Sequence, residues 1–124
     1  MNLLDSNIVI GGASSAGMAL DLKWFEEPYA VSVVTRIEVL GFHRLTPEDK
    51  EDLQMFLAGG KELPLDEAVT EAAIRLRQER SMGLGDAINE ATALVHSLPL
   101  VTRNVDDFKR VAGLSTIDPF VTGA

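Results

Sequence analysis

Four acidic residues are placed along the chain in a way that strongly constrains its fold. They are Asp5, Glu38, Asp86 and Asp107. The third opens a helical segment, and the other three come after apolar runs typical of strands. In an open parallel sheet, the segments that leave the carboxyl ends of the strands converge on one crevice. The placement therefore predicts that the four carboxylates meet at one edge of such a sheet.

Short apolar runs alternate with helical patterns along the rest of the chain. We expect strands at 3–5, 30–34, 62–65, 100–102 and 115–117. We expect helices at 14–26, 35–45, 47–58, 66–80, 84–98 and 106–111, where apolar residues recur at helical spacing. This alternation is typical of a parallel sheet covered by helices on both faces. The prediction is an α/β, three-layer αβα fold with a central, mainly parallel sheet of about five strands, in a single domain spanning 1–124.

Local signals set several of these boundaries. Thr46 followed by Pro47 and two acids is a strong helix start, and Asp66 and Thr35 are the expected caps of two further helices. Pro64 places the third strand at an edge of the sheet. The first strand is expected to leave through a polar turn toward Ile8-Val9-Ile10.

Composition and charge limit the possible functions. The 124 residues include no cysteine, which excludes disulfides and zinc–thiolate sites. The N-terminus has no cationic region and no apolar run approaches the ~18 residues of a membrane span, so a cytoplasmic protein without membrane attachment is the simplest interpretation. A net charge of −8 argues against binding nucleic acid by charge alone and suits a basic protein partner. The chain has two clusters of cationic residues. The first comprises Arg75, Arg77 and Arg80, and the second comprises Arg103, Lys109 and Arg110.

Carboxylates brought together in one crevice predict a metal site. They would repel one another unless a hard cation such as Mg²⁺ or Mn²⁺ neutralised them. Asp5, Glu38 and Asp86 are the first-choice ligands, with Asp107 as the fourth. Such a site can polarise a phosphoryl oxygen and activate a water for attack on a phosphodiester. Taken singly, each acid also has a structural explanation, as a turn residue, a solvated helix residue or a first-turn acid.

Several polar residues near the four acids could orient them or hold metal-bound water. These candidates are Ser6, Asn7, Thr35, Glu90, Thr102 and Asn104. Helix capping explains Ser6 and Thr35 equally well, and a turn explains Asn104. Glu90 lies four residues after Asp86 on the same helix face, although a residue at such a position is more often simply solvated.

The ordered motifs resemble the PIN domain and, within it, the VapC-type toxins of toxin–antitoxin pairs. The resemblance rests on the segments 3–7, 32–38, 84–93, 101–108 and 117–119, which together cover nearly the whole chain. It implies a PIN-like fold and a Mg²⁺- or Mn²⁺-dependent endoribonuclease whose core acids are Asp5, Glu38 and Asp86. In the fourth motif Asn104, Asp106 and Asp107 share the remaining position. Glu90 stands where the family usually has alanine and would add a fifth carboxylate.

The resemblance also implies partners. Proteins of this type are held inactive by a cognate VapB-like antitoxin, commonly through a basic or aromatic segment laid across the acidic site, and they usually form homodimers. The apolar helices near Met18 to Phe25 and Leu40 to Phe56 are the expected surfaces for both contacts. RNA is the expected substrate.

Two alternatives remain at the level of sequence. A receiver-like signalling domain also uses acids at strand ends with Mg²⁺, but it requires paired acids after the first strand and a lysine after a late strand. Asp5 has no acidic neighbour, and Arg103-Asn104 follows Thr102. A catalytically inactive PIN-like binding module is the second alternative.

Overall fold

Five parallel strands form the centre of the molecule. The computed structural model describes residues 1–13, 28–102 and 113–117. The strands are β1 (Asn2–Leu4), β2 (Tyr29–Ser32), β3 (Lys61–Leu63), β4 (Leu100–Val101) and β5 (Thr116–Ile117). Their order across the sheet is β3-β2-β1-β4-β5, and every neighbouring pair is parallel. The predicted α/β architecture is confirmed, with β3 at an edge.

Five helices connect and cover the described strands. They are α1 (Ser6–Ala13), α2 (Val33–Leu40), α3 (Pro47–Ala58), α4 (Glu67–Glu79) and α5 (Leu84–His96). Within the described ranges none of these helices is both long and apolar enough to cross a membrane.

Alternate strand residues pack on opposite faces of the sheet, because successive side chains of a strand point to opposite sides. One face meets α1, α2 and α3 in a core that includes Leu4, Ile8, Val9, Tyr29, Val31, Val39, Leu53, Leu57 and Val101. The other face meets α5 through Leu3, Ala30, Leu63, Ala93 and Leu100. Helix α4 then packs on α5 through small and branched side chains such as Val69, Ala73 and Ala87. The layers are therefore helix, sheet and helix.

The predicted helix starts at Thr46 and Asp66 are confirmed. The Thr46 hydroxyl accepts from the Asp49 amide at 3.1 Å, and Asp66 Oδ1 accepts from the Val69 amide at 3.0 Å. The expectation that Thr35 caps a helix is wrong. Ser32 is the N-cap of α2, and its Oγ accepts from the Thr35 amide at 3.3 Å. Two β-branched residues predicted as strand therefore belong to the first turn of α2, since tertiary packing overrides a weak strand preference.

The segment after the first strand also differs from its prediction. Helix α1 begins at Ser6, directly after Asp5, and Ile8-Val9-Ile10 is helical rather than an extended exit. The Asp5 carbonyl accepts from the amides of Ile8 and Val9 at 3.0 and 3.1 Å, which starts the helix. A run of three apolar residues fits a buried strand and a buried helical turn equally well, so periodicity could not separate them.

Smaller differences concern helix ends. Helix α2 ends at Leu40, so Leu45 lies beyond it. The helices predicted at 14–26 and 106–111 lie outside the described residues, as do Asn104, Asp106 and Asp107.

Tyr29 joins the sheet to the end of α3. Its hydroxyl donates to the Phe56 carbonyl, and its ring stacks on Phe56 with centroids 4.9 Å apart. Gly60 lies directly against this ring, where a β-carbon would be 2.4 Å from Tyr29 Cε2. Burial raises the pKa of the Tyr29 hydroxyl above its usual value.

We predict that Gly60→Ala destabilises the protein because its methyl group would force the Tyr29 ring out of place. Overpacking of this kind costs about 1–3 kcal/mol. Gly83→Ala is the matched control, since a β-carbon there meets no atom within 4 Å. Urea unfolding followed by circular dichroism measures both variants, and an equal effect of the two would contradict the packing argument.

We predict that stability falls in alkaline solution as Tyr29 ionises. A raised pKa in the folded state favours the neutral phenol, so this contribution is complete below the ordinary pKa of 10.0 and is lost as pH rises through the folded value. Between the ordinary pKa and the raised folded pKa, the fall in stability with rising pH should be smaller in Tyr29→Phe. Unfolding midpoints measured across the alkaline range test this, and identical slopes would show that Tyr29 is not responsible.

Candidate active site

The carboxyl ends of the three central strands carry the predicted site. The order of the strands across the sheet is β3-β2-β1-β4-β5. Strands β2 and β3 are added on one side of β1, and strands β4 and β5 on its other side. The point at which the strand order reverses therefore lies between β1 and β4. Ligands bind at such switch points in open α/β sheets. Asp5 directly follows β1 and Thr102 directly follows β4. The fold therefore places both residues beside the expected crevice.

Asp5 is buried, with 5% of its surface exposed, and its carboxylate accepts three hydrogen bonds. Oδ1 accepts from the Ser6 amide at 2.8 Å and from Asn89 Nδ2 at 3.1 Å. Oδ2 accepts from the Thr102 hydroxyl at 2.9 Å. A buried carboxylate needs such donors because the lost hydration must be replaced. Both oxygens are thus held in a defined orientation.

Ser6 links the first acid to the second. Its amide donates to Asp5, and its hydroxyl donates to Glu38 Oε1 at 2.9 Å. Thr35 Oγ1 lies 3.4 Å from the same Ser6 hydroxyl. Glu38 itself is exposed on α2. The predicted role of Ser6 beside the acids is consistent with this geometry, and one residue brings β1 and α2 together.

The start of α5 lies against Glu38. A β-carbon on Gly85 would be 3.2 Å from each Glu38 carboxylate oxygen, so glycine permits this close approach. The next residue, Asp86, lies in the first turn of α5 and is half-buried. An acidic residue in this position is favoured by the helix dipole. The third acid-bearing segment therefore reaches the same edge of the sheet as Asp5 and Glu38.

The other predicted residues have different environments. Thr35 and Thr102 are fully buried, whereas Asn7 is exposed. Glu90 has 0% exposure, so the interpretation of this residue as solvated is wrong. Asp107, Asn104 and Asp106 lie outside the described residues, and their predicted roles stay predictions.

Sequence reasoning missed Asn89. This residue is 1% exposed, and its Oδ1 accepts from Ser32 Oγ at 2.6 Å and from Thr35 Oγ1 at 3.3 Å. Its Nδ2 donates to Asp5, as described above. One signal in the sequence could have indicated Asn89. It is a polar residue among apolar positions of the predicted helix, and it follows Asp86 by three residues, which places the two on the same helix face.

The cationic clusters lie elsewhere or outside the described residues. Arg75 and Arg77 are exposed on α4, and Arg80 caps its C-terminus. Arg77 lines a cavity of about 570 Å³ between α4 and α5, whose lining includes none of the site acids. Arg103, Lys109 and Arg110 belong to the segment that is not described.

The chemical type of the donor atoms in the candidate site suits a hard cation. Among the described residues, no three acidic or histidine side chains are arranged to hold a metal ion together. Mg²⁺, however, is usually bound through one or two carboxylates, with waters completing its octahedron. Asp5, Glu38 and Asp86 offer only oxygen donors, and the exposed Glu38 carboxylate is accessible to a cation and its waters. These residues therefore suit Mg²⁺ or Mn²⁺ better than a metal that prefers nitrogen or sulfur.

Comparison with known proteins agrees with this fold. The PIN-domain family model matches residues 3–114. Ribonuclease VapC10 of Mycobacterium tuberculosis is 32% identical over 87% of this chain and 86% of its own length. Ribonuclease VapC1 of Rickettsia felis is 28% identical over 93% of each protein. A toxin–antitoxin complex from Klebsiella pneumoniae contains a chain with a TM-score of 0.77 and 30% identity, covering 96% of this chain and 98% of that one.

The parallel sheet covered by helices and the match to the family model together define the class of the protein as a PIN domain. The chain belongs to the PIN-domain family, and its relatives within that family are of the VapC type. The receiver-like alternative is wrong, since the family match extends over the segments that carry Asp5, Glu38 and Asp86.

We predict that Asp5→Asn folds, whereas Asp5→Ala is clearly destabilised. The asparagine oxygen can accept from Ser6 and Asn89, and its amide can donate to the Thr102 hydroxyl. Alanine leaves buried donors without an acceptor, which costs about 1–3 kcal/mol. Glu38→Ala is the comparison at an exposed acid and should change stability by no more than about 0.5 kcal/mol. Chemical unfolding measures all three, and a severe loss in Asp5→Asn would contradict the hydrogen-bond pattern.

Proposed function

We propose that the chain is a Mg²⁺- or Mn²⁺-dependent endoribonuclease that acts as the toxin of a type II, VapBC-like toxin–antitoxin system. The observation that carries this proposal is the convergence of three acid-bearing segments at one edge of the sheet. Ser6 links Asp5 to Glu38, and Gly85 brings the start of α5 against Glu38. The names of the VapC relatives support RNA as the substrate.

The residues of the proposed site have different roles because their burial and hydrogen bonds differ. Asp5 is held rigidly by donors on both oxygens and supplies a fixed carboxylate. Glu38 is exposed, with one oxygen accepting from Ser6, and can reach a hydrated cation in the crevice. Asp86 supplies the third carboxylate from α5, and Asp107 is the proposed fourth. A divalent cation bound there would provide Lewis-acid activation of the phosphodiester and of the attacking water.

An antitoxin partner fits the charge of the chain. Relatives in solved structures occur in toxin–antitoxin complexes, including the one from Klebsiella pneumoniae. This chain carries a net charge of −8, and a cationic antitoxin segment across the acidic crevice would be attracted to it. Exposed apolar side chains offer additional contact area, and they are Ile37 on α2, Met55 on α3 and Phe42 in the segment between these helices. We propose a homodimer as the state of the toxin itself.

Cleavage of RNA by the purified, antitoxin-free chain tests the function. We expect cleavage with Mg²⁺ or Mn²⁺, none with a chelator, and a loss of at least about a hundredfold in Asp86→Asn. Glu67→Gln is the matched control because Glu67 is also a first-turn helix acid, in α4, and its neutralisation removes the same charge. This control should cleave at the wild-type rate.

The outcomes separate the candidate functions. Cleavage that requires both the metal and Asp86 supports the nuclease. Cleavage that survives Asp86→Asn or the chelator would point to a contaminating ribonuclease and remove the support. A folded chain that binds Mn²⁺ and RNA without turnover would instead favour the inactive binding module.

A further inference from the structure

Asn89 is one of three polar residues in the buried part of α5, together with Glu90 and Thr92. Its neighbours Ala87, Ile88, Ala91 and Ala93 are buried against α4 or the sheet. An amide that is 1% exposed is costly unless it is hydrogen-bonded, so its position depends on partners. Those partners are Ser32, Thr35 and Asp5. All three belong to the edge of the sheet that carries the proposed site.

The direction of the Asn89 amide follows from its partners. An ionised carboxylate only accepts hydrogen bonds, so the group facing Asp5 Oδ1 must be the NH₂ of the amide. The Ser32 hydroxyl accepts from the Thr35 amide, which leaves its proton available for Asn89 Oδ1. A reversed amide would set its oxygen against the carboxylate. The network therefore selects the orientation that donates to Asp5.

The same amide connects the segments that bear the three core acids. Asn89 follows Asp86 by three residues on α5, and Thr35 precedes Glu38 by three residues on α2. Residues at this spacing share a helix face. Asn89 on α5 is hydrogen-bonded to Thr35 on α2 and to Asp5 at the end of β1. It therefore connects the three segments that carry Asp5, Glu38 and Asp86. A change in the amide would thus be transmitted first to the orientation of the Asp5 carboxylate.

We infer that Asn89 is a positioning residue, which fixes the Asp5 carboxylate for binding the divalent cation. The inference rests on the proposed metal-dependent function. Mutation of a group that orients a metal ligand typically lowers metal affinity or activity about 10–100-fold. Asn89 does not touch the substrate in this proposal, and its effect passes entirely through Asp5.

Asn89→Leu is the direct test because leucine is branched at Cγ like asparagine and cannot donate a hydrogen bond. We expect Mn²⁺ affinity, measured by isothermal titration calorimetry on metal-free protein, to fall about 10–100-fold. RNA cleavage should show a lower kcat at saturating Mn²⁺, with KM for RNA changed by less than about threefold, since only the metal ligand is disturbed. If Asn89→Leu does not fold, Asn89→Ser replaces it in the same measurements. The serine side chain is too short to form the hydrogen bond to Asp5.

Thr92→Val is the matched control on the same helix. Thr92 is 1% exposed like Asn89, but its hydroxyl donates to the Ile88 carbonyl and not to the site. It should lower the unfolding temperature without changing Mn²⁺ affinity. Wild-type Mn²⁺ affinity in a folded Asn89 variant, or an equal loss in Thr92→Val, would overturn the positioning role.

The two proposals fail in different ways. If the wild-type chain binds Mn²⁺ but does not cleave RNA, the ribonuclease proposal fails while the affinities of the Asn89 variants still decide the positioning role. If the wild-type chain does not bind Mn²⁺, the metal-dependent function and the role of Asn89 are both overturned.

Discussion

The buried carboxylate of Asp5 is the constraint on which the arrangement of the sheet edge depends. A charge with 5% exposure must recover its lost hydration from protein donors. Those donors come from three places in the chain: the first residue of α1, the middle of α5 and the residue after β4. The chain can satisfy Asp5 only when these three segments meet. A polar requirement thus acts together with the apolar core to define one arrangement of helices around the sheet.

Short parallel strands make this convergence possible. The strands have two to four residues each, so a helix or loop begins almost immediately beyond the buried centre of the sheet. The side chains of the three central strands, β1, β2 and β4, are buried on both faces, as expected for parallel strands. Because all strands run in the same direction, every following segment starts at the same edge. The segments that carry Asp5 and Glu38 therefore meet through Ser6 without a long loop, and the start of α5 lies beside them.

The features that sequence predicted correctly are mostly local. Thr46 and Asp66 were identified as caps because a cap depends on the few residues that follow it. The alternation of apolar runs also predicted the layers. The N-cap of α2 was assigned to Thr35 instead of Ser32 because both are cap-type residues, and only packing decides where the helix begins. Asn89 was missed for a similar reason. Its role is defined by partners 54 to 84 residues away, which no local pattern reveals.

The different exposure of Asp5 and Glu38 is compatible with the proposed function, in which an acidic chain binds both a polyanionic substrate and a cationic inhibitor. Asp5 is held by internal donors, so its geometry changes little with the occupant of the crevice. Glu38 is exposed and can adapt to a hydrated cation or to a basic side chain. With the cation bound, the local negative charge is reduced and a phosphodiester can approach, although the chain as a whole repels it. A basic antitoxin segment in the same place would use the attraction of the whole chain, which is screened over about 10 Å at 0.1 M salt. Under the proposed function, cation-assisted substrate binding and antitoxin binding would compete for the same carboxylates, and inhibition would follow from electrostatics without a change in the fold.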